Sequence, residues 1–291
     1  MSSRCLIWCR VPALVALLLA SLLASLAVLA AGPEIHSGVA LIIDHEGNRL
    51  FERNPTEVRP IASITKLMTA MVVIDADVPL DDRITITEAD RDRLRWSRSR
   101  LRIGEAKLSR LDLLRTALMS SDNRAAAALG RTTFAEGTAA FVDAMNEKAR
   151  ALAMHDTRFA DASGLDAGNQ STAEDLVRLL DAAARYPLIR EITSTGETEV
   201  SPHAGRGPLP YRNTNPLTRD ERWTVELSKT GYLNEAGRCL VMQAVIEDRR
   251  VYAIFLNAQG KLTPIGDANR LRQWLADAGE LKTTSLSARQ Q

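Results

Sequence analysis

Residues 59–77 read RPIASITKLMTAMVVIDAD. From Leu67 to Ile74 every residue but Thr69 is apolar, so the stretch reads as a buried helix, expected to run from about Ser63 to Ala76. Two polar residues interrupt its first turn. Ser63 and Lys66 are three apart and share one face of a helix. Ser63 then sits at a helix N-terminus, where free N–H groups and the dipole favour developing negative charge. Apolar surroundings and a nearby cation lower a lysine pKa, so a neutral Lys66 amine is suited to take the serine proton. Taken alone the pair says little. A Ser-x-x-Lys arises about once per chain of this size at average composition, and a serine there is also an ordinary N-cap.

Two further tripeptides change the weight of that pair. Ser121-Asp122-Asn123 lies between two helical stretches in ALMSSDNRAAAALG, where polar side chains can face a cleft. Lys229-Thr230-Gly231 ends the strand-like TVELSKTG; its glycine admits a close backbone, and its lysine and threonine suit an anion. Each alone is read as well by a capping turn or a plain turn. A Ser-x-x-Lys followed in order by both tripeptides arises by chance in well under about one chain in a hundred.

This ordered set is the signature of class A β-lactamases and penicillin-binding proteins. The class A enzymes also need a Glu-x-x-Leu-Asn segment between the second and third motifs, and no glutamate between 124 and 228 fits it. MNEKARALAMHDTRFADASGLD and RNTNPL instead resemble the low-molecular-mass penicillin-binding proteins, the serine D-Ala-D-Ala peptidases of family S11. The resemblance spans about residues 35–278. IASITKLMTAMVVIDA, LMSSDNRAAAALGR and GDANRLRQWL are most similar to the endopeptidase branch, which usually has Ser-Glu-Asn where this chain has Ser121-Asp122-Asn123.

The resemblance implies a β-lactamase/DD-peptidase (transpeptidase-like) fold and cleavage of D-alanyl-diaminopimelyl cross-links in peptidoglycan, with β-lactams as covalent inhibitors. D-Ala-D-Ala carboxypeptidase activity is the alternative; a non-catalytic penicillin-binding module and a β-lactamase stand behind it. It implies Ser63 as nucleophile, Lys66 as general base, and Ser121 bonded to Lys66 and passing a proton to the leaving nitrogen. Asn123 orients the substrate amide. Lys229 adds positive field, and with Thr230 and Gly231 it binds the substrate. The oxyanion is expected between the N–H groups of Ser63 and Tyr232. In carboxypeptidase relatives an arginine on the next strand is the candidate for a substrate carboxylate, and Arg249 and Arg250 both stand open for that place here. No cofactor and no metal are implied.

Outside the motifs, SGVALIID and NRLFERN form an expected hairpin around His45-Glu46-Gly47. Helices are expected from Ser109, over 122–130 and 137–153, and from Thr172 to just before Pro187. WTVELSKTG, RCLVMQAVIED and RVYAIFLNAQ read as strands, and a last helix lies near DANRLRQWLADAG. The class is therefore α+β, an antiparallel sheet built from both chain ends around a mostly helical middle.

Residues 1–30, with Arg4 and Arg10 before an uncharged apolar run and small residues Val28 and Ala30 at its end, read as a secretory signal peptide. Such a run is also long enough to span a membrane, but the small-residue end favours cleavage and leaves no stable membrane anchor. A catalytic domain over 31–279 and a polar tail over 280–291 follow, with a periplasmic location. Of 37 basic and 36 acidic residues the leader holds Arg4 and Arg10, so the mature chain is near neutral, which does not suit a nucleic-acid binder. Cys239 alone lies outside the leader and reads as a core strand residue.

His36, His45, His155 and His203 form no close pair suited to zinc. RDRLRWSRSRLR, residues 91–102, holds six arginines around Trp96 and reads as a solvated face or as a surface for anionic wall polymers. Asn169-Gln170-Ser171 matches a glycosylation sequon, which a periplasmic enzyme does not use.

Overall fold

The computed structural model describes residues 32–287; the signal-peptide reading lies outside the described residues. Strands β1 (Val39–Asp44) and β2 (Arg49–Arg53) form the expected hairpin. The short β3 (Arg59–Pro60) follows, then a 3₁₀ turn, Ala62–Ile64, and helix α1 (Thr65–Asp75). Next come β4 (Arg83–Thr85), β5 (Lys107–Ser109), α2 (Arg110–Met119), α3 (Asn123–Thr132), α4 (Thr138–Ala151), β6 (Gln170–Ser171), α5 (Ala173–Ala183) and α6 (Pro187–Ser194). Strands β7 (Glu197–Val200) and β8 (Leu209–Arg212) form a small hairpin. Strands β9 (Thr224–Leu233), β10 (Gly237–Ile246) and β11 (Arg249–Ala258) precede helix α7 (Thr263–Ser287).

The main sheet is antiparallel with order β2-β1-β11-β10-β9, so both chain ends build it. Its central strands alternate between two cores, as a period-two pattern requires. Val39 and Leu41 of β1 and Ile254 and Leu256 of β11 join the large core under helices α1 to α6. Ala40 and Ile42, with Ala253 and Phe255, join a second core with Leu271 and Leu275 of α7. Burial on both faces explains why these strands read as nearly continuous apolar runs. Cys239 packs in the large core, as expected, and burial pushes its thiol up to about 12. On the α7 side, the buried Asp267 carboxylate accepts the N–H groups of His36 and Ser37 at 2.8 Å and ties the start of the domain to its last helix.

Three differences from expectation have local causes. The residues before Thr65 form a tighter 3₁₀ turn, because Ala62 takes φ 49° and cannot continue a regular helix backwards. Pro187, expected just past a helix end, instead opens α6, where a proline at the first turn loses no hydrogen bond. Helix α7 runs on to Ser287, through most of the stretch expected as a tail. The expected caps hold: Ser109, Asp122 and Thr172 each accept the N–H three residues on, at 3.0–3.1 Å.

Candidate active site

Helix α1 has no polar face. Every residue from Thr65 to Val73 is buried, which fixes the helix in the core and removes water from around Lys66. The Lys66 side chain is 1% exposed, and its Nζ donates to Ser63 Oγ at 2.7 Å, Asn123 Oδ1 at 2.8 Å and the Ser163 carbonyl at 2.5 Å. Burial lowers its pKa to about 8, against the opposing pull of Asp161 and Asp122. Ser63 itself is half-buried and open to solvent on one side.

Two glycines hold the backbone of Ser63 in place. On β9, a Cβ added at Gly231 would come within 3.0 Å of the Ile61 carbonyl and 3.1 Å of Ser63 N. From the opposite side Gly164, at φ 80°, lies so close that a Cβ would fall 2.0 Å from the Ala62 carbonyl oxygen. The Ala62–Ser63 peptide is thus gripped between an edge strand and a loop, which accounts for the left-handed backbone at Ala62.

Strand β9 brings Lys229 to the same place. Lys229 is 1% exposed, and its Nζ donates to Ser121 Oγ at 2.9 Å and to the Thr230 carbonyl at 2.9 Å. Burial, then the charge of Lys66, pushes the Lys229 ammonium well below its usual range. The expected Ser121–Lys66 bond is therefore replaced by a Ser121–Lys229 bond. Ser121 takes φ 62°, a conformation rare outside glycine, in the turn between α2 and α3. Thr230 Oγ1 bonds Thr214 Oγ1 at 2.6 Å, and the Thr214 N–H donates to the Met119 carbonyl at 3.0 Å, so RNTNPL ties β9 to the end of α2.

A cleft of about 500 Å³ runs along β9 past Ser121, Thr230, Gly231 and Tyr232 towards Arg238. The Arg238 guanidinium lies 3.7 Å from the centre of the Tyr232 ring, and Tyr232 is exposed at the cleft mouth. Arg249 and Arg250 are elsewhere. Arg250 pairs across Val245 with Thr224, five residues before Lys229 and roughly 17 Å down the strand. Its guanidinium is bound to Glu226 at 2.6 and 3.0 Å. Arg238, not weighed from the sequence, is the β10 arginine beside the site.

The loop 161–169 carries several contributors that the motifs did not reveal. The Asp161 carboxylate accepts the N–H groups of Ser163 at 2.8 Å and Asp166 at 2.9 Å, and so fixes the carbonyl that meets Lys66. Asn169 is fully buried and donates to Asp161 at 3.0 Å, so the sequon asparagine is a structural strut. The glycine in DASGLD was the available signal for a tight backbone approach.

The arginine-rich segment 91–102 forms a strap across the site. Asp92 accepts the N–H groups of Leu94 and Arg95 at 2.9 Å and Ser97 at 2.7 Å. Ser97 Oγ accepts from Asn123 Nδ2 at 2.9 Å, Ser99 Oγ donates to Asp122 at 2.7 Å, and Arg95 reaches Glu235 of the β9–β10 turn at 2.8 Å. Its arginines are exposed, as a solvated face requires, yet the strap also sets the rotamer of Asn123. Among the described residues no group of three His, Cys, Asp or Glu side chains is placed to hold a metal ion.

The sequence profile of the peptidase family S11, described as D-alanyl-D-alanine carboxypeptidase, matches residues 27–260. The chain belongs to this family. Within the S11 family it is similar to a D-alanyl-D-alanine endopeptidase of Escherichia coli (strain K12), at 45% identity over 86% of this chain and 80% of that one. It is similar to a D-alanyl-D-alanine endopeptidase of Pseudomonas aeruginosa at 46% identity, over 88% of this chain and 82% of that one. Its fold is that of the crystal structure of the Streptomyces K15 DD-transpeptidase, with TM-score 0.76 and 25% identity, covering 84% of this chain and 98% of that one. Penicillin-binding protein D2 of Listeria monocytogenes, in its cefotaxime-bound form, superposes with TM-score 0.71 at 28% identity, over 84% of this chain and 98% of that one.

Proposed function

We propose that this S11 peptidase is a peptidoglycan endopeptidase that opens D-alanyl-diaminopimelyl cross-links through an acyl-enzyme on Ser63. The observation that carries the chemistry is the buried Lys66 amine, 2.7 Å from Ser63 Oγ with a pKa of about 8. A neutral Lys66 takes the Ser63 proton as Oγ attacks the D-alanyl carbonyl. The oxyanion forms against the N–H groups of Ser63 and Tyr232. The peptide C–N bond then breaks, and the leaving nitrogen takes a proton from Ser121 Oγ, which is reprotonated by the Lys229 Nζ hydrogen-bonded to it at 2.9 Å, while Lys66 holds the proton taken from Ser63. Water releases the D-alanyl product from Ser63. Asn123 holds Lys66 and the substrate amide, while Thr230, Gly231 and Tyr232 line the strand edge along which the peptide lies.

The endopeptidase names of the relatives at 45–46% identity support the cross-link as substrate. A carboxypeptidase reading is favoured by the family description and by relatives such as an Escherichia coli carboxypeptidase at 32% identity. Digestion of purified cross-linked muropeptide dimers separates the two. Monomer release is expected; loss of only a terminal D-Ala would overturn the endopeptidase reading. The same proposal includes a cleaved leader over 1–30, a periplasmic catalytic domain over 31–279 and covalent inhibition by β-lactams. N-terminal sequencing of the exported protein tests the cleavage.

A further inference from the structure

A second cleft, of about 460 Å³, opens from Ser121 on the side of the strap and the β7–β8 hairpin. Arg98, Arg100 and Arg212 ring it, and Ser120, Ser121 and Tyr211 lie along it. Asp122 is the one acidic residue against three arginines in its lining. Asp122 is buried and already held by Ser99 at 2.7 Å and by the Ala125 N–H at 3.0 Å. Arg100 is stacked 5.0 Å from the Tyr211 ring and bonded to the Pro210 carbonyl. Arg212 reaches Glu197 only at 3.4 Å, and Arg98 has no ion-pair partner among the described residues. Tyr211 is 3% exposed, yet its hydroxyl is buried with no hydrogen-bond partner.

We infer that this cleft is the subsite for the leaving strand of the cross-link, an anionic stem peptide whose carboxylates meet Arg98 and Arg212. The inference rests on the endopeptidase reading above. If Ser121 protonates the leaving nitrogen, that nitrogen lies at Ser121, and the chain beyond it must continue away from Ser63. The cleft that begins at Ser120 and Ser121 offers that path. Guanidinium groups suit carboxylates through paired, charge-assisted hydrogen bonds. A stem peptide carries further carboxylates along the cleft to the arginine rim, where a lone D-Ala leaving group brings only its own carboxylate. The cleft therefore selects for cross-links over terminal D-Ala.

The test uses the full mature enzyme carrying Arg98→Ala, Arg212→Ala or both; Arg100 is left in place because it supports Tyr211. Three rates are measured: cleavage of a cross-linked muropeptide dimer, release of D-Ala from a pentapeptide, and acylation by a fluorescent penicillin. Each single variant is expected to lower kcat/KM on the dimer about fivefold, with a loss that shrinks at high salt. Penicillin acylation and D-Ala release stay at the wild-type level. Amidating the carboxylates of the leaving strand is expected to slow wild type as much as the double variant and to slow the double variant no further. Unchanged dimer cleavage in the double variant overturns the subsite, and so does an equal loss on all three substrates. A wild-type enzyme that leaves the dimer intact but is acylated by penicillin overturns the endopeptidase reading, and the subsite with it.

Discussion

Replacing Gly164 with alanine probes the grip on Ser63 without touching any motif residue. The added methyl would sit 2.0 Å from the Ala62 carbonyl oxygen and 3.0 Å from Ser63 N. Contacts under 3.0 Å do not persist, so the Ala62–Ser63 peptide or the loop must move by about 1 Å or more. The left-handed conformation at Gly164 adds about 1–2 kcal/mol for an L-residue, and forced overpacking adds about 1–3 kcal/mol. A total near 3 kcal/mol lowers Tm by about 6–12 °C in a domain of this size. Displacing a nucleophile by about 1 Å slows reaction by about a hundredfold. The second-order rate of acylation by a fluorescent penicillin is therefore expected to fall about a hundredfold, measured well below the lowered Tm. Gly231→Ala presses the same peptide from the other side with nearest contacts of 3.0–3.1 Å, so it is expected to lower Tm less than Gly164→Ala. Wild-type acylation and an unshifted Tm in Gly164→Ala would refute the reasoning.

Ser63→Ala is expected to abolish labelling by fluorescent penicillin with the thermal transition kept; equal labelling of both proteins would remove Ser63 as nucleophile. With no Glu-x-x-Leu-Asn segment to activate a deacylating water, the penicilloyl adduct should persist in intact-mass measurements, and rapid penicillin turnover would contradict this. Acylation should rise with pH through about 8, as Lys66 loses its proton, and a flat profile would exclude Lys66 as the base. The folded pKa of Lys66 lies below its unfolded value, so the unfolded chain binds more protons between about 8 and 10.5. Stability against denaturant should rise across that window, less steeply in Lys66→Met. Arg250→Ala, which removes only the exposed pair with Glu226, should leave dimer cleavage at the wild-type rate and change stability by under about 1 kcal/mol.

The motif order carried the family, and the apolar runs carried the sheet, because both are local signals. Sequence spacing could not say which lysine meets Ser121. That depends on how β9, a strand more than a hundred residues away, is seated against the α2–α3 turn. Whether Arg249 or Arg250 meets the site was open in the sequence for a related reason, and neither does. Strand register, not nearness to Lys-Thr-Gly in the order of strands, sets the level at which a β11 residue lies. The strap was legible as exposed arginines, but its purchase on Asn123 runs through Ser97, an ordinary loop serine in the sequence. Asp161 was likewise hidden, since a carboxylate that organises backbone N–H groups has no pattern of its own. Pro187 reads as a stop in the sequence because proline occurs both just past a helix end and in a helix's first turn.

The pairing of β1 with β11 has a consequence for biogenesis. Val39 meets Leu256, and Asp267 fastens His36 and Ser37, so the centre of the sheet joins segments more than two hundred residues apart. Such long loops close slowly. The hairpin of β1 and β2 is made early in synthesis but has no inner neighbour until residue 258 has emerged. A two-stranded ribbon of this kind is marginal in water. The main sheet therefore cannot close around β1 until β11 has been made.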